Sequence, residues 1–164
     1  MWQELSENLA GLASLYRSEP FYDEFKKFIG SLYDRQMKKL GWEATPNESS
    51  RTGTLRSTVV RMMGLSGNEA VIKEAHRRFL KFRDDPERNP IAGDLRSAIF
   101  GLALLHDEAE VFNALKEMYE ITSFPEDQRT CLSVMGRVKN PELQEYIYEY
   151  ALYSGNVSFV MCGG

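Results

Sequence analysis

Thr54 to Phe79 reads TLRSTVVRMMGLSGNEAVIKEAHRRF, and Asp94 to Tyr119 reads DLRSAIFGLALLHDEAEVFNALKEMY. The second stretch begins 40 positions after the first, with no gap between the aligned copies. Leu-Arg-Ser stands at 55–57 and again at 95–97. Val71, Ile72, Ala75 and Phe79 answer to Val111, Phe112, Leu115 and Tyr119. Each copy holds two runs of helical apolar spacing. A repeat of about 40 residues built from two helices is the mark of stacked helical hairpins, each burying its face on the next.

The flanking chain follows the same pattern. Trp2, Leu5, Leu9, Leu12 and Tyr16 recur at three- and four-residue steps, predicting a helix from Trp2 to about Arg17 that Pro20 closes off. Phe21, Phe25, Phe28, Ile29, Leu32, Tyr33 and Leu40 predict a second, with Gly41 past its end. A polar loop over 43–53 leads into the first copy, where Gly64 is expected to break the leading helix. Ser66-Gly67-Asn68-Glu69 reads as a capping box opening the trailing helix, which runs to about Phe82. The second copy predicts helices over about 92–105 and from Asp107 to about Ile121. Pro125 and Asn140-Pro141-Glu142 open two more, with Cys131, Leu132 and Met135 inward on one, and Leu143, Ile147, Tyr150 and Ala151 on the other. Asp127-Gln128-Arg129-Thr130 looks like a looser third start. The expectation is therefore an all-α chain, an α-α superhelix of about eight helices in antiparallel pairs. Val157-Ser158-Phe159-Val160 is open between a short strand and the first turn of a ninth helix.

The chain of 164 residues is long enough for one domain with its own core, 43% hydrophobic and 27% charged. Its net charge of −4 and the lack of a basic stripe argue against nucleic acid as a partner. No apolar run reaches the ~18–20 residues of a membrane span, and the first residues lack a signal-peptide pattern. Cys131 and Cys162 make no disulfide framework. A repeat array needs polar end units. None is evident at either end, so 1–164 is expected to be a single helical-repeat domain cut from a longer chain. Its apolar ends are expected to self-associate or to meet further domains.

Catalytic patterns are missing. Zinc hydrolysis on a helix needs H-E-x-x-H, two imidazoles on one face with a glutamate base. Here His76 and His106 are 30 residues apart, read as a solvated helix position and a helix end. Nucleophile-elbow and phosphate-loop patterns are absent. Asp84-Asp85 and Glu108/Glu110 fall in a charged loop and a first helical turn, where solvated acids belong. Taken alone, the residues give no catalytic site, no metal site and no cofactor. Arg56, Arg96, Arg129 and Arg137 remain as candidate contacts, because an arginine on a repeat surface can hold a carboxylate bidentately. Arg56 and Arg96 begin each copy at the same place, which points to architecture first.

The blocks Leu40-Gly41-Trp42, Leu55-Arg56-Ser57, Glu74-Ala75-His76-Arg77-Arg78-Phe79 and Ile91-Ala92-Gly93-Asp94-Leu95-Arg96-Ser97-Ala98-Ile99-Phe100 stand in this order between residues 40 and 100. Together they resemble the C-terminal helical domain of gluzincin-type zinc aminopeptidases, the group of puromycin-sensitive, oxytocinase-like and membrane alanyl enzymes. The last block is similar to the family's P-x-D-L-R-x-x-V-[YF]. The resemblance implies a bowl of HEAT-like repeats, akin to armadillo arrays, closing over a catalytic domain that lies earlier in the parent chain. Zinc and its ligands belong to that part. This chain would wall the cavity and touch the distal end of peptide substrates, with the catalytic domain and the peptides as its partners.

In the oxytocinase-like branch an arginine in R-x-x-N-x-x-x-L helps hold the peptide C-terminus. Arg137 and Asn140 match, while Leu143 comes one position early. The branch's Tyr-Lys pair is not matched, Ala13 and Ser14 standing about there. Met63 and Ala70 occupy the places of a disulfide common in secreted relatives, which favours a cytoplasmic protein over a secretory or membrane-attached ectodomain. Arg137, Arg96 and Arg56 are the peptide-binding candidates. A free-standing HEAT-like interaction scaffold is the alternative.

Overall fold

The computed structural model describes residues 2–153, and these form eight helices with no strand. They are α1 (Trp2–Leu15), α2 (Tyr22–Leu40), α3 (Ser50–Leu65), α4 (Glu69–Asp84), α5 (Gly93–His106), α6 (Glu108–Ile121), α7 (Pro125–Met135) and α8 (Pro141–Tyr153). The all-α helical-repeat expectation holds. Val157 to Val160, Cys162 and the side chain of Ala151 lie outside the described residues. Among those residues no helix is long and apolar enough to cross a membrane. The chain divides into two compact units, one ending at Asp107 and the other beginning at Glu108.

In the first unit α3 is central and meets α1, α2, α4 and α5. It starts at Ser50, four residues before the repeat, because the Ser49 hydroxyl caps it by accepting from Thr52 N–H at 3.3 Å. α3 ends one residue beyond Gly64. The helix runs on to Leu65, and Gly64 is buried where a Cβ would overlap the Leu102 side chain of α5. Its lack of a side chain lets α3 and α5 approach closely near the end of α3. The cap of α4 is also shifted. Asn68 Oδ1 accepts from Val71 N–H at 3.1 Å, while Ser66 sits at the C-cap of α3 and donates to Met63 O.

The repeat pattern marks core positions. Val71, Ala75, Phe79, Val111, Phe112, Leu115 and Tyr119 are buried, and only Ile72 of the aligned apolar set is half-buried. Phe79 meets Phe100 edge-on at 5.2 Å across α4 and α5. The stripe on α1 differs from expectation. The buried residues are Ser6, Leu9 and Ala13, whereas Leu5, Leu12 and Leu15 are exposed. In place of pure apolar contact, the buried Ser6 hydroxyl bonds the Tyr33 hydroxyl of α2 at 2.6 Å.

In the second unit α6 packs on α7, and Cys131, Val134 and Met135 are buried. Cys131 is a buried core thiol. α8 sets Tyr146 against Phe112 and Tyr150 against Tyr119, both at 6.0 Å between ring centres. Asn140 caps α8 by accepting from Glu142 N–H at 2.9 Å.

Candidate functional sites in the two units

Arg56 is held by the loop that joins α2 to α3. Gly41, at φ 59°, turns the chain off α2, and Asn47 takes the left-handed conformation at φ 64°. The loop thus folds back and delivers Glu48 to Arg56. Both guanidinium ends donate to the two oxygens of Glu48, and Nε donates to Leu40 O at 3.3 Å. The Arg56 side chain is 3% exposed and that of Glu48 9%. The arginine bonds hold the Glu48 carboxyl down at about 2, against its ordinary 4.5. Arg56 is pushed up in turn, chiefly by the same bond.

These residues line an open cleft of about 660 Å³ with Trp42, Arg78, Asp94 and Ile91. Arg78 stacks over the Trp42 ring at 5.0 Å and bridges two acids, Glu43 at 2.6 Å and Glu74 at 2.8 Å. Asp94, in the first turn of α5, lies against Gly53, where a Cβ would overlap its carboxylate. Both guanidinium groups of the cleft are therefore matched by carboxylates. Its walls can take a polar or amphipathic group but offer no surplus positive charge for an anion.

Arg96 repeats the Arg56 theme in shorter form. Its Nε donates to Ile91 O at 3.1 Å, in the segment before α5, and its guanidinium lies 5.2 Å from the Phe82 ring centre. At both Leu-Arg-Ser starts, then, arginine Nε ties its helix to a carbonyl of the preceding segment.

Arg137 lies in the second unit, just beyond α7, and is exposed. Its Nη2 donates to Ser133 Oγ at 3.3 Å. Arg129 is exposed on α7, one turn before Ser133. The segment after Arg137 is fixed by Glu108, which accepts from the N–H groups of Lys139 and, at 3.2 Å, Asn140. Glu108 thus serves a backbone turn, not acid–base chemistry.

The sequence did not disclose three of these partners. Glu48 is separated from Arg56 by eight residues and a helix start, and the Trp42–Arg78–Glu43 group spans two elements. The Glu74–Arg78 and Ser133–Arg137 steps of four match helical spacing. His76 also departs from the solvated reading. It is half-buried, with its ring 4.5 Å from that of His106. Among the described residues no three His, Cys, Asp or Glu side chains are grouped to hold a metal ion.

Residues 1–160 match the family model described as "ERAP1-like C-terminal domain". The chain is 24% identical to the puromycin-sensitive aminopeptidase of Caenorhabditis elegans, over 96% of this chain and 17% of that protein. It is 26% identical to aminopeptidase N of Plutella xylostella, over 82% and 14%. With aminopeptidase M1-A of Oryza sativa subsp. japonica it shares 25% over 79% and 15%. It spans about a sixth of the length of these relatives. An all-helical fold, with an arginine Nε tied to the preceding segment at each Leu-Arg-Ser start, accompanies a family match over nearly every residue: the chain belongs to the ERAP1-like C-terminal domain family.

Proposed function

We propose that this chain is the non-catalytic helical domain of a cytoplasmic zinc aminopeptidase. It walls the substrate cavity and contacts the distal end of the peptide, while a catalytic domain elsewhere in the parent chain removes N-terminal residues. The reading is supported by the family match over residues 1–160 and by relatives that bear aminopeptidase names. Zinc and its ligands fall to that catalytic domain, a reading supported by the aminopeptidase relatives. Exposed Leu15 and Phe28 in the first unit supply apolar surface suited to contact with the rest of the parent.

Peptide contact falls first to Arg137. The observation that carries this is its exposed guanidinium beside Ser133, on a segment pinned by Glu108. Arg96 and Arg56 rank behind it, because their Nε groups are bound to Ile91 O and Leu40 O. In the full-length protein, Arg137→Ala is expected to weaken long peptides while single-residue reporter substrates turn over as before. An equal effect on both would remove the carboxylate-binding role. Cell fractionation with antibody detection tests the cytoplasmic assignment, and recovery in the membrane or secreted fraction overturns it.

A further inference from the structure

α6 and α8 run the same way in the second unit. Phe112 meets Tyr146 near the start of α6, and Tyr119 meets Tyr150 near its end. The C-terminal end of α6 therefore lies beside the last turns of α8. Carbonyls left unsatisfied at a helix C-terminus carry a partial charge of about −0.5, which a basic residue in the last turn offsets. Neither helix has one. Glu120, the penultimate residue of α6, adds a full negative charge there. The N-terminal end of α7 brings the opposite field, and Glu126 and Asp127 in its first turn answer it.

A hollow of about 230 Å³ opens at this place, lined by Tyr119, Glu120, Gln128 and Tyr150. Glu120 lies 3.5 Å from the Tyr150 hydroxyl, a long contact that leaves the carboxylate with capacity for stronger donors. Gln128 donates an amide N–H to Thr122 O at 3.1 Å, which leaves its amide oxygen to accept. Burial, and after it the Glu120 carboxylate, push the Tyr150 hydroxyl above its usual range. Ring faces and carboxylate oxygens together favour a cation.

The preceding turn shows the same device filled from within. Lys116 Nζ lies 4.8 Å from the Tyr146 ring centre. Four residues on, and so on the same face of α6, Glu120 stands beside Tyr150. Among the described residues no cation lies over the Tyr150 ring.

We propose that the hollow between the ends of α6 and α8 seats a guanidinium group, the side chain of an arginine in a bound peptide, held by the Glu120 carboxylate and the Tyr150 ring. A guanidinium is planar, so it can lie on a ring and meet a carboxylate through two N–H groups. Its five donors suit a lining of acceptors, and its weak hydration eases its removal from water. The seat stands apart from the Arg137 reading, because Arg137 lies beyond the other end of α7.

The test is calorimetric titration of the full-length protein with a tripeptide of alanine, arginine and alanine, acetylated and amidated. Its blocked amino end gives an aminopeptidase no terminus to remove. Matched peptides carry lysine, norleucine or glutamate in the middle. The arginine peptide is expected to bind about threefold to tenfold more tightly than the lysine peptide and to weaken as salt is added. The norleucine and glutamate peptides are expected not to bind. Glu120→Gln is expected to weaken the arginine peptide about threefold to tenfold. Glu120 is exposed, so this change leaves the core alone. Tyr150→Phe keeps the ring and should stay within about twofold, whereas Tyr150→Leu should lose about threefold or more. Unchanged binding to Glu120→Gln overturns the seat, and so does equal binding of the arginine and lysine peptides. Ethylguanidinium tells the source of the group. Weaker binding than the tripeptide supports an arginine residue, and equal binding overturns the peptide in favour of a small free guanidine.

Discussion

Glu48 and Arg56 meet side by side, each carboxylate oxygen taking one guanidinium end, with almost no solvent contact. The Nε bond to Leu40 O makes this pair the joint between the end of α2, the loop and α3. Breaking a buried pair leaves the other charge without compensation, which costs far more than a surface bridge. Arg56→Ala is expected to lower the thermal midpoint of the chain by at least about 5 °C. Arg56→Lys keeps the charge but loses the two-pronged geometry and should recover only part of it. Calorimetry of the three proteins checks this, and a midpoint unchanged by Arg56→Ala would contradict it.

The same pair sets an acid limit. Glu48 is held at about 2 in the fold and returns to about 4.5 when unfolded. A carboxyl depressed on folding contributes stability above its unfolded value and loses it as pH falls toward the folded one. Stability should therefore drop between pH 4.5 and 2. Glu48→Gln is expected to start lower and to show a flatter slope through that window. Identical slopes in denaturant titrations of the two proteins would remove Glu48 as the source. Glu74, also lowered by its Arg77 bond, adds a background slope that both proteins share.

Gly64 and Leu102 make a close helix contact in the first unit. A methyl on Gly64 would occupy the space of the Leu102 side chain. Gly64→Ala is expected to cost about 1–3 kcal/mol by overpacking, despite the better helix propensity of alanine. Leu102→Ala alone opens a cavity at about 2–5 kcal/mol. The double variant should cost clearly less than the two added together, because the methyl fills part of that cavity. Additive costs by urea unfolding would show that the two sites are not in contact.

Ser6 and Tyr33 are both fully buried, and the Ser6 hydroxyl donates to Trp2 O at 2.7 Å. That leaves the Tyr33 hydroxyl as donor to Ser6. Tyr33→Phe removes a donor while Ser6 keeps its bond to Trp2, a loss of about 1 kcal/mol. Ser6→Ala instead strands the buried Tyr33 hydroxyl and is expected to cost about 1–3 kcal/mol. Chemical unfolding of both variants decides the order, and a larger cost for Tyr33→Phe would assign the donors the other way.

These pairs show where the sequence was informative. Periodicity exposed the helices, since Val71, Ala75 and Phe79 bury one face and their counterparts at 111, 115 and 119 do likewise. The prolines at 125 and 141 gave two helix starts to the residue, because proline suits a first turn. Gly64 stands one residue before the end of α3 and also packs against Leu102, so it marks a helix end and a close contact at once. A breaker and a close-packing residue look alike until the neighbouring helix is known. The Ser66 box failed for a related reason: Asn68 competes for the same cap, and local patterns do not say which oxygen wins. Arg56 was placed in the architecture by its periodic position, yet Glu48 was invisible as its partner. That pairing depends on the loop turning back through Gly41 and Asn47.

Arg96 offers a way to separate framework from peptide surface. Its Nε bond to Ile91 O and its place over Phe82 fasten the segment before α5 to α4. Arg96→Ala gives up a charge-assisted bond and an aromatic contact, each worth on the order of 1 kcal/mol. The thermal midpoint should fall by several degrees. A framework arginine should nevertheless leave the ratio of KM values for free-acid and amidated peptides unchanged in the full-length protein. Arg96→Lys keeps the charge near the ring but cannot present Nε, so it should recover less than half of the lost stability. Should Arg96→Ala instead shift the acid-to-amide ratio with an unaltered midpoint, Arg96 joins Arg137 on the peptide surface and the repeat starts carry recognition as well as architecture.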